Sequence, residues 1–139
     1  MTVERETLNF KKLSIENAEE NSCEILLEIN IVNEIIFPEK IQQEILQLGK
    51  ISWKIDIEKA ALPLKVRRKK EGDIFHPIGM IGRKKVSKFF KDEKIPIFAQ
   101  PKIWLLCDRH DEVLGILPFR KDRSFAANRE SKKIMKVKL

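Results

Sequence analysis

Apolar and polar positions alternate with a period of two over much of the chain. Lys50 to Ile57, KISWKIDI, sets Ile51, Trp53, Ile55 and Ile57 against Ser52, Lys54 and Asp56, the pattern of a strand buried on one face. Ser131 to Leu139, SKKIMKVKL, carries Ile134, Met135, Val137 and Leu139 among lysines and predicts a final strand. Trp104 to Cys107 and Val113 to Leu117 flank the polar stretch Asp108 to Glu112 and read as a hairpin. Leu62 to Arg68, LPLKVRR, predicts a further strand. Nearer the start, Glu6 to Phe10, Lys12 to Ile15 and Cys23 to Val32 have strand character, with a polar turn from Asn17 to Ser22. Helical spacing appears twice. Pro38 opens one short helix through Ile41, Ile45 and Leu48, with Gly49 as its stop. Arg83 to Lys91 is the other, and Gly72 to Gly82 ahead of it is too rich in Gly and Pro to be regular. Strands dominate and helices are few, so the expected class is α+β.

Composition narrows the setting. The 139 residues fit one domain, or one domain with a smaller lobe, and the 42% hydrophobic content supports a packed core. No apolar run approaches the roughly 20 residues that span a bilayer. The N-terminal MTVERETLNF lacks a signal-peptide layout, and the two cysteines read as reduced thiols, so a cytoplasmic protein is expected. The formal charge of +7 is unevenly spread: residues 1–62 carry net −5 and residues 63–139 net +12. That asymmetry suggests a polyanionic partner. The change of sign near Ala60–Ala61 suggests a strand-rich lobe over residues 1–60 and a basic domain over 61–139.

The charge concentrates in GDIFHPIGMIGRKKVSKFFKDEKIP, Gly72 to Pro96. On a helix from Arg83, residues Val86, Phe89 and Phe90 share one side while Lys84, Lys88 and Lys91 share the other. A solvated lysine stripe would have the same amphipathic pattern. The ends distinguish the two. Arg83-Lys84-Lys85 would open this helix and Asp92-Glu93 close it, the reverse of what the helix dipole favours. Such an arrangement suits an anion, a phosphate above all, bound at the helix start beside the Gly79-Met80-Ile81-Gly82 loop. Gly72, Pro77, Gly79 and Gly82 would shape that loop, and Phe75, Phe89 and Phe90 would hold it to the core.

Other constellations carry less. Asp73 and His76 stand three apart but lack a nucleophile and a third group. Cys107 and His110 have half of a zinc-site spacing, with Cys23 and His76 isolated, so neither a metal nor another cofactor is expected. Trp53 and Trp104 read as core positions. No GxxxxGK[ST] run is present, so the chain offers no means of using ATP. The GxxG at Gly79 to Gly82 is similar to the backbone clamp of a KH domain, which would bind single strands.

Residues 55–139 resemble the C-terminal domain of the tRNA(Ile)-lysidine synthase family. The resemblance runs through Gly72-Asp73, Phe75, Pro77, Gly79, Gly82, Lys84-Lys85, Val86-Ser87, Phe89-Phe90 and Lys94-Ile95-Pro96. It continues through WLLCD at Trp104, RKDRSF at Arg120 and ESKKIMKVKL at Glu130. It implies a sandwich-like α+β module shared with a domain of phenylalanyl-tRNA synthetase. It also implies a parent ligase that uses ATP to join lysine to the anticodon wobble cytidine of an isoleucine tRNA. The family's SGGxDS loop is absent here, so the chain is expected to be a non-catalytic part that grips the acceptor stem. Its implied partners are tRNA(Ile) and the catalytic N-terminal domain; the alternative reading of the residues is an interaction module whose basic face docks the catalytic domain or a second copy. Arg83, Lys84, Lys85, Lys88 and Lys91 are the expected phosphate contacts, with Arg67 and Arg68 as weaker candidates. Departures from the family pattern include Lys88 where Asp is common, Gln100 where Arg often stands, and the Pro118 to Phe125 stretch.

Overall fold

A computed structural model describes residues 24–139. The strands predicted before Cys23, and the Asn17 to Ser22 turn, lie outside the described residues. In chain order the elements begin with β1 (Glu24–Leu26), β2 (Glu28–Ile29), β3 (Ile35–Ile36), α1 (Glu39–Leu46) and β4 (Ser52–Asp56). They continue with β5 (Lys65–Arg67), β6 (Ile74–Phe75), β7 (Lys84–Lys85), α2 (Val86–Asp92), β8 (Leu105–Cys107), β9 (Val113–Ile116), β10 (Arg120–Lys121) and β11 (Ile134–Lys138). Short 3-10 turns occupy Ile57–Lys59 and Gln100–Lys102. The α+β expectation holds: the described residues form many short strands, two helices, and open sheets that do not close into a barrel.

The central antiparallel sheet has the order β1-β5-β8-β9-β10. The inner strands β8 and β9 bury both faces, which explains why they read as continuous apolar runs. Leu64, Val66, Leu106 and Leu114 enter one core with Ile41 and Ile45 of α1 and with Ile55, Met135 and Val137 of the β4–β11 pair. Leu105, Cys107, Val113 and Ile116 enter a second core with Phe75 and with Val86, Phe89 and Phe90 of α2. The predicted β4 face is correct, and its register sets Ile55 opposite Met135 and Trp53 opposite Val137. The strand stops at Asp56 because that side chain accepts the Glu58 amide at 2.9 Å and starts a 3-10 turn.

Several boundaries differ from expectation, among them the strand from Leu62, which begins only at Lys65. Of the strand expected from Cys23 to Val32, the described part from Glu24 is not continuous. Asn30 accepts the Val32 and Glu34 amides at 3.0 and 2.9 Å, an Asx-type turn that reverses the chain into the β2–β3 ribbon. The second helix begins at Val86, three residues later than expected, because Lys84 and Lys85 pair with Phe75 and Ile74. The charge boundary at Ala60–Ala61 is crossed by two strand pairings, β1 with β5 and β4 with β11.

Candidate nucleic-acid interface

The irregular stretch from Gly72 to Gly82 is the crossing of a two-strand hairpin, β6 to β7. Gly79 and Gly82 stand at φ values of 85° and 81°, conformations that side-chain-bearing residues rarely adopt. Gly72, also left-handed, turns the chain ahead of β6. The buried Pro77 forms a bridge to Asp122. Asp122 is itself buried and accepts the backbone amides of His76 at 2.7 Å and Ser124 at 2.6 Å. Arg123 donates to the carbonyls of Met80 and Gly82 at 3.0 and 2.9 Å, and Arg120 donates to that of Ile78 at 3.2 Å. Arg120, Asp122 and Arg123 thus hold the loop in shape. They lie inside RKDRSF, which sequence reading treated only as part of a resemblance. The Arg-x-Asp-Arg run was the available signal, but nothing in one dimension says that it meets a Gly-Pro loop some forty residues earlier.

Beneath the loop, Phe75 and Phe89 meet edge to face at 5.4 Å between centroids. Such a pair adds roughly 0.5–1.5 kcal/mol beyond its burial. Val86, Phe89 and Phe90 anchor the opposite side of α2 in the core, as expected. That leaves Arg83, Lys85, Lys88 and Lys91 exposed on the outside. Arg83, Lys85 and Lys91 make no ion pair among the described residues. Arg83, Lys85 and Lys88 line a groove of about 710 Å³ with Met80 and Ile81 as its apolar lip, and the Lys84–Asp92 pair lies in the same wall, Asp92 also standing 3.5 Å from Lys88.

Three sequence-based assignments change. The reversed helix dipole is weaker than expected, because Arg83 and Lys84 precede the helix and Lys91 lies favourably in its last turn, although Lys85 at the N-cap and Asp92 and Glu93 at the other end still oppose it. Lys84 is half-buried and turned onto Asp92, whose carboxyl it holds below the usual range, so it is no open phosphate contact. Arg67 is withdrawn from the surface altogether. It is 1% exposed, with its guanidinium bonded to both Asp73 oxygens at 2.8 and 2.9 Å and its Nε to Asp111 at 2.7 Å. A buried guanidinium between two carboxylates is a structural pair, with no donor fork left for RNA. Arg68 lies elsewhere, over the Trp104 ring at 3.6 Å.

The remaining constellations resolve in the same geometry. Asp73 faces Arg67 whereas His76 faces Asp122 at 3.3 Å, so the two never form an acid–base pair. Cys107 is buried, and that burial pushes its thiol up to about 12, while His110 is exposed. Among the described residues no three metal-ligating side chains converge. Trp104 is core, as expected, and Trp53 packs partly buried against the same cluster. The GxxG loop joins two strands, not the two helices a KH clamp requires, which removes that reading.

The family model described as the TilS substrate C-terminal domain matches residues 64–138. The chain belongs to this family. Curated tRNA(Ile)-lysidine synthases are among its relatives. That of Parabacteroides distasonis is 37% identical over 60% of the chain and 19% of the relative. That of Porphyromonas gingivalis W83 is 43% identical over 50% of the chain and 15% of the relative. That of Clostridium tetani is 29% identical over 94% of the chain and 29% of the relative. The chain therefore spans less than a third of the length of these relatives. A crystal structure of a TilS C-terminal domain superposes with a TM-score of 0.54 at 26% identity, covering 71% of each chain. The loop, α2 and the Arg120–Arg123 anchor all fall within the matched family segment.

Proposed function

We propose that this chain is the tRNA-holding part of a tRNA(Ile)-lysidine synthase. It grips the acceptor stem of an isoleucine tRNA and leaves the chemistry to a separate catalytic domain. That domain would use ATP to join lysine to the wobble cytidine. The observation that carries the reading is the exposed cationic strip of Arg83, Lys85, Lys88 and Lys91 along β7 and α2, with Lys88 3.5 Å from Asp92, beside a loop clamped by Arg120, Asp122 and Arg123. Family membership and the lysidine-synthase names of the relatives support it. An A-form stem offers phosphates and a shallow minor groove, which a rigid cationic strip with an apolar lip at Met80 and Ile81 fits by shape.

The test is a filter-binding titration against salt with isoleucine tRNA. Replacing Lys85, Lys88 and Lys91 by Gln weakens binding and flattens the log–log salt slope by about 0.7–0.9 per lost phosphate contact. An unchanged slope, with self-association or docking to a catalytic domain lost instead on gel filtration, reassigns the strip to protein contact.

A further inference from the structure

A second group of cations lies on the β4–β11 ribbon. Trp53 and Ile55 of β4, with Met135 and Val137 of β11, turn to the first core. The alternate positions Ser52, Lys54, Lys136 and Lys138 are exposed on the outer face. Strand register sets Lys54 directly opposite Lys136, and Ser52 opposite Lys138. Lys121 of β10 is half-buried within reach of Lys54; burial first, and then the Lys54 charge, hold its amine below the usual lysine range. The carboxylates beside this face are engaged elsewhere. Asp56 accepts the Glu58 amide and the Ser131 hydroxyl, each at 2.9 Å. Glu34, bridged to Lys136, accepts from the Asn30 side chain at 3.4 Å. Among the described residues Lys54, Lys121, Lys136 and Lys138 enter no ion pair.

Exposed lysines keep a sheet soluble and guard its edges. That accounts for scattered charge. It does not account for two lysines set opposite each other with a third half-buried beside them, because like charges directly opposite destabilise a strand pair. A polyanion laid across the ribbon would offset the repulsion. The ribbon is also continuous with the clamped loop through β10. The Lys121 carbonyl accepts the Ile78 amide at 3.0 Å, and Arg120 and Arg123 hold the same loop at Ile78, Met80 and Gly82. None of the exposed large apolar side chains belongs to β4, β10 or β11, whereas the centre of a protein–protein interface is apolar. We infer that the outer face of the ribbon binds the sugar–phosphate backbone of the same RNA, with Lys54, Lys121 and Lys136 meeting phosphates beyond those held by the strip. The inference rests on the RNA-binding reading and widens the contact from one surface to two.

The experiment uses the full chain with isoleucine tRNA and has two readouts. Acetylation of lysine amines, followed by mass spectrometry with and without the RNA, needs no variant. Lys54, Lys121 and Lys136 are expected to be shielded together with Lys85, Lys88 and Lys91. In the salt titration, Lys54→Gln/Lys121→Gln/Lys136→Gln should flatten the log–log slope by about 2–2.7, which is about 0.7–0.9 for each of three lost contacts. Arginine at the same three positions should restore it. If the Gln variant unfolds, shielding in the parent chain decides. Shielding of the strip alone, with the slope unchanged in the Gln variant, overturns the inference and leaves the strip reading in place. Shielding of the ribbon alone supports the inference and overturns the strip reading. Shielding of neither overturns both, and a slope loss that arginine does not restore overturns the phosphate contacts assigned to the ribbon.

Discussion

At Gly115 one hydrogen atom in place of a methyl decides whether two layers can touch. A Cβ there would stand 2.5 Å from Cζ3 of Trp53 and 3.1 Å from the Arg120 carbonyl. The backbone of β9 therefore lies directly against the indole that β4 contributes to the first core. Gly115→Ala should destabilise the fold by about 1–3 kcal/mol, the usual range for overpacking. Urea denaturation measures it. Shortening the indole in Gly115→Ala/Trp53→Leu should cost less than the two single changes together, since the clash is gone. Additive costs would place the strain elsewhere. Asp122 is the other single residue on which much depends, since it caps His76 and Ser124 from a buried position. Asp122→Ala leaves those amides without their partner and should cost about 1–3 kcal/mol.

Between elements, charges lock the start of the loop to the central sheet. Lys65 and Arg67 of β5, Lys70 after it, and Asp73 before β6 converge with Asp111 from the β8–β9 turn and Glu24 from β1. Burial pushes the Asp111 carboxyl up, but hydrogen bonds and charge from Arg67, with Lys70 and Lys65, outweigh it and hold it at about 2. Because that value lies below the ordinary 3.8, ionised Asp111 stabilises the fold above about pH 4. The contribution drains away as pH falls from there towards 2. Asp111→Asn should therefore lower the urea midpoint at neutral pH, with the gap to the parent chain closing below pH 4. A gap that stays constant down to pH 2 would mean that the carboxylate charge is not what Arg67 needs. The anchor at the other end of the loop is separable. Arg123→Ala, at an exposed position, should speed hydrogen exchange at Met80 while shifting the urea midpoint little, and it should weaken RNA binding through a looser strip.

For the whole molecule, charge and packing divide the chain differently. The formal charge changes sign near Ala60, yet the first core takes Phe37, Ile41 and Ile55 from one side and Leu64, Leu106 and Met135 from the other. A chain begun at Ala61 would keep the family segment but lose β4, the partner of β11, and the α1 cover over the sheet. It should lose its cooperative urea transition and near-ultraviolet circular dichroism. A sharp transition from that shorter chain would make residues 61–139 a folding unit of their own. The acidic half thus serves the basic half as packing, and the positive surface faces outward from a core that both build.

Local pattern was enough wherever a residue's role depends on near neighbours. The β4 and β11 faces, the β8–β9 hairpin and the inward side of α2 follow from apolar spacing, because a strand or helix must bury that side against something. The cations of the strip were legible for the same reason, being what remains outside when Val86, Phe89 and Phe90 go in. Partner choice across the chain was not legible. Lys84 finds Asp92, Arg67 finds Asp73 and Asp111, and Arg68 finds Trp104 only because the sheet order brings those segments together. Charged side chains look alike in one dimension, and burial sorts them into locks and open surface. The sequence by itself determined which faces are apolar and how much positive charge the second half holds. The tertiary structure alone decided which of those charges are neutralised by pairing and which stay free to meet a phosphate, since pairing energy depends on distances that only the fold sets.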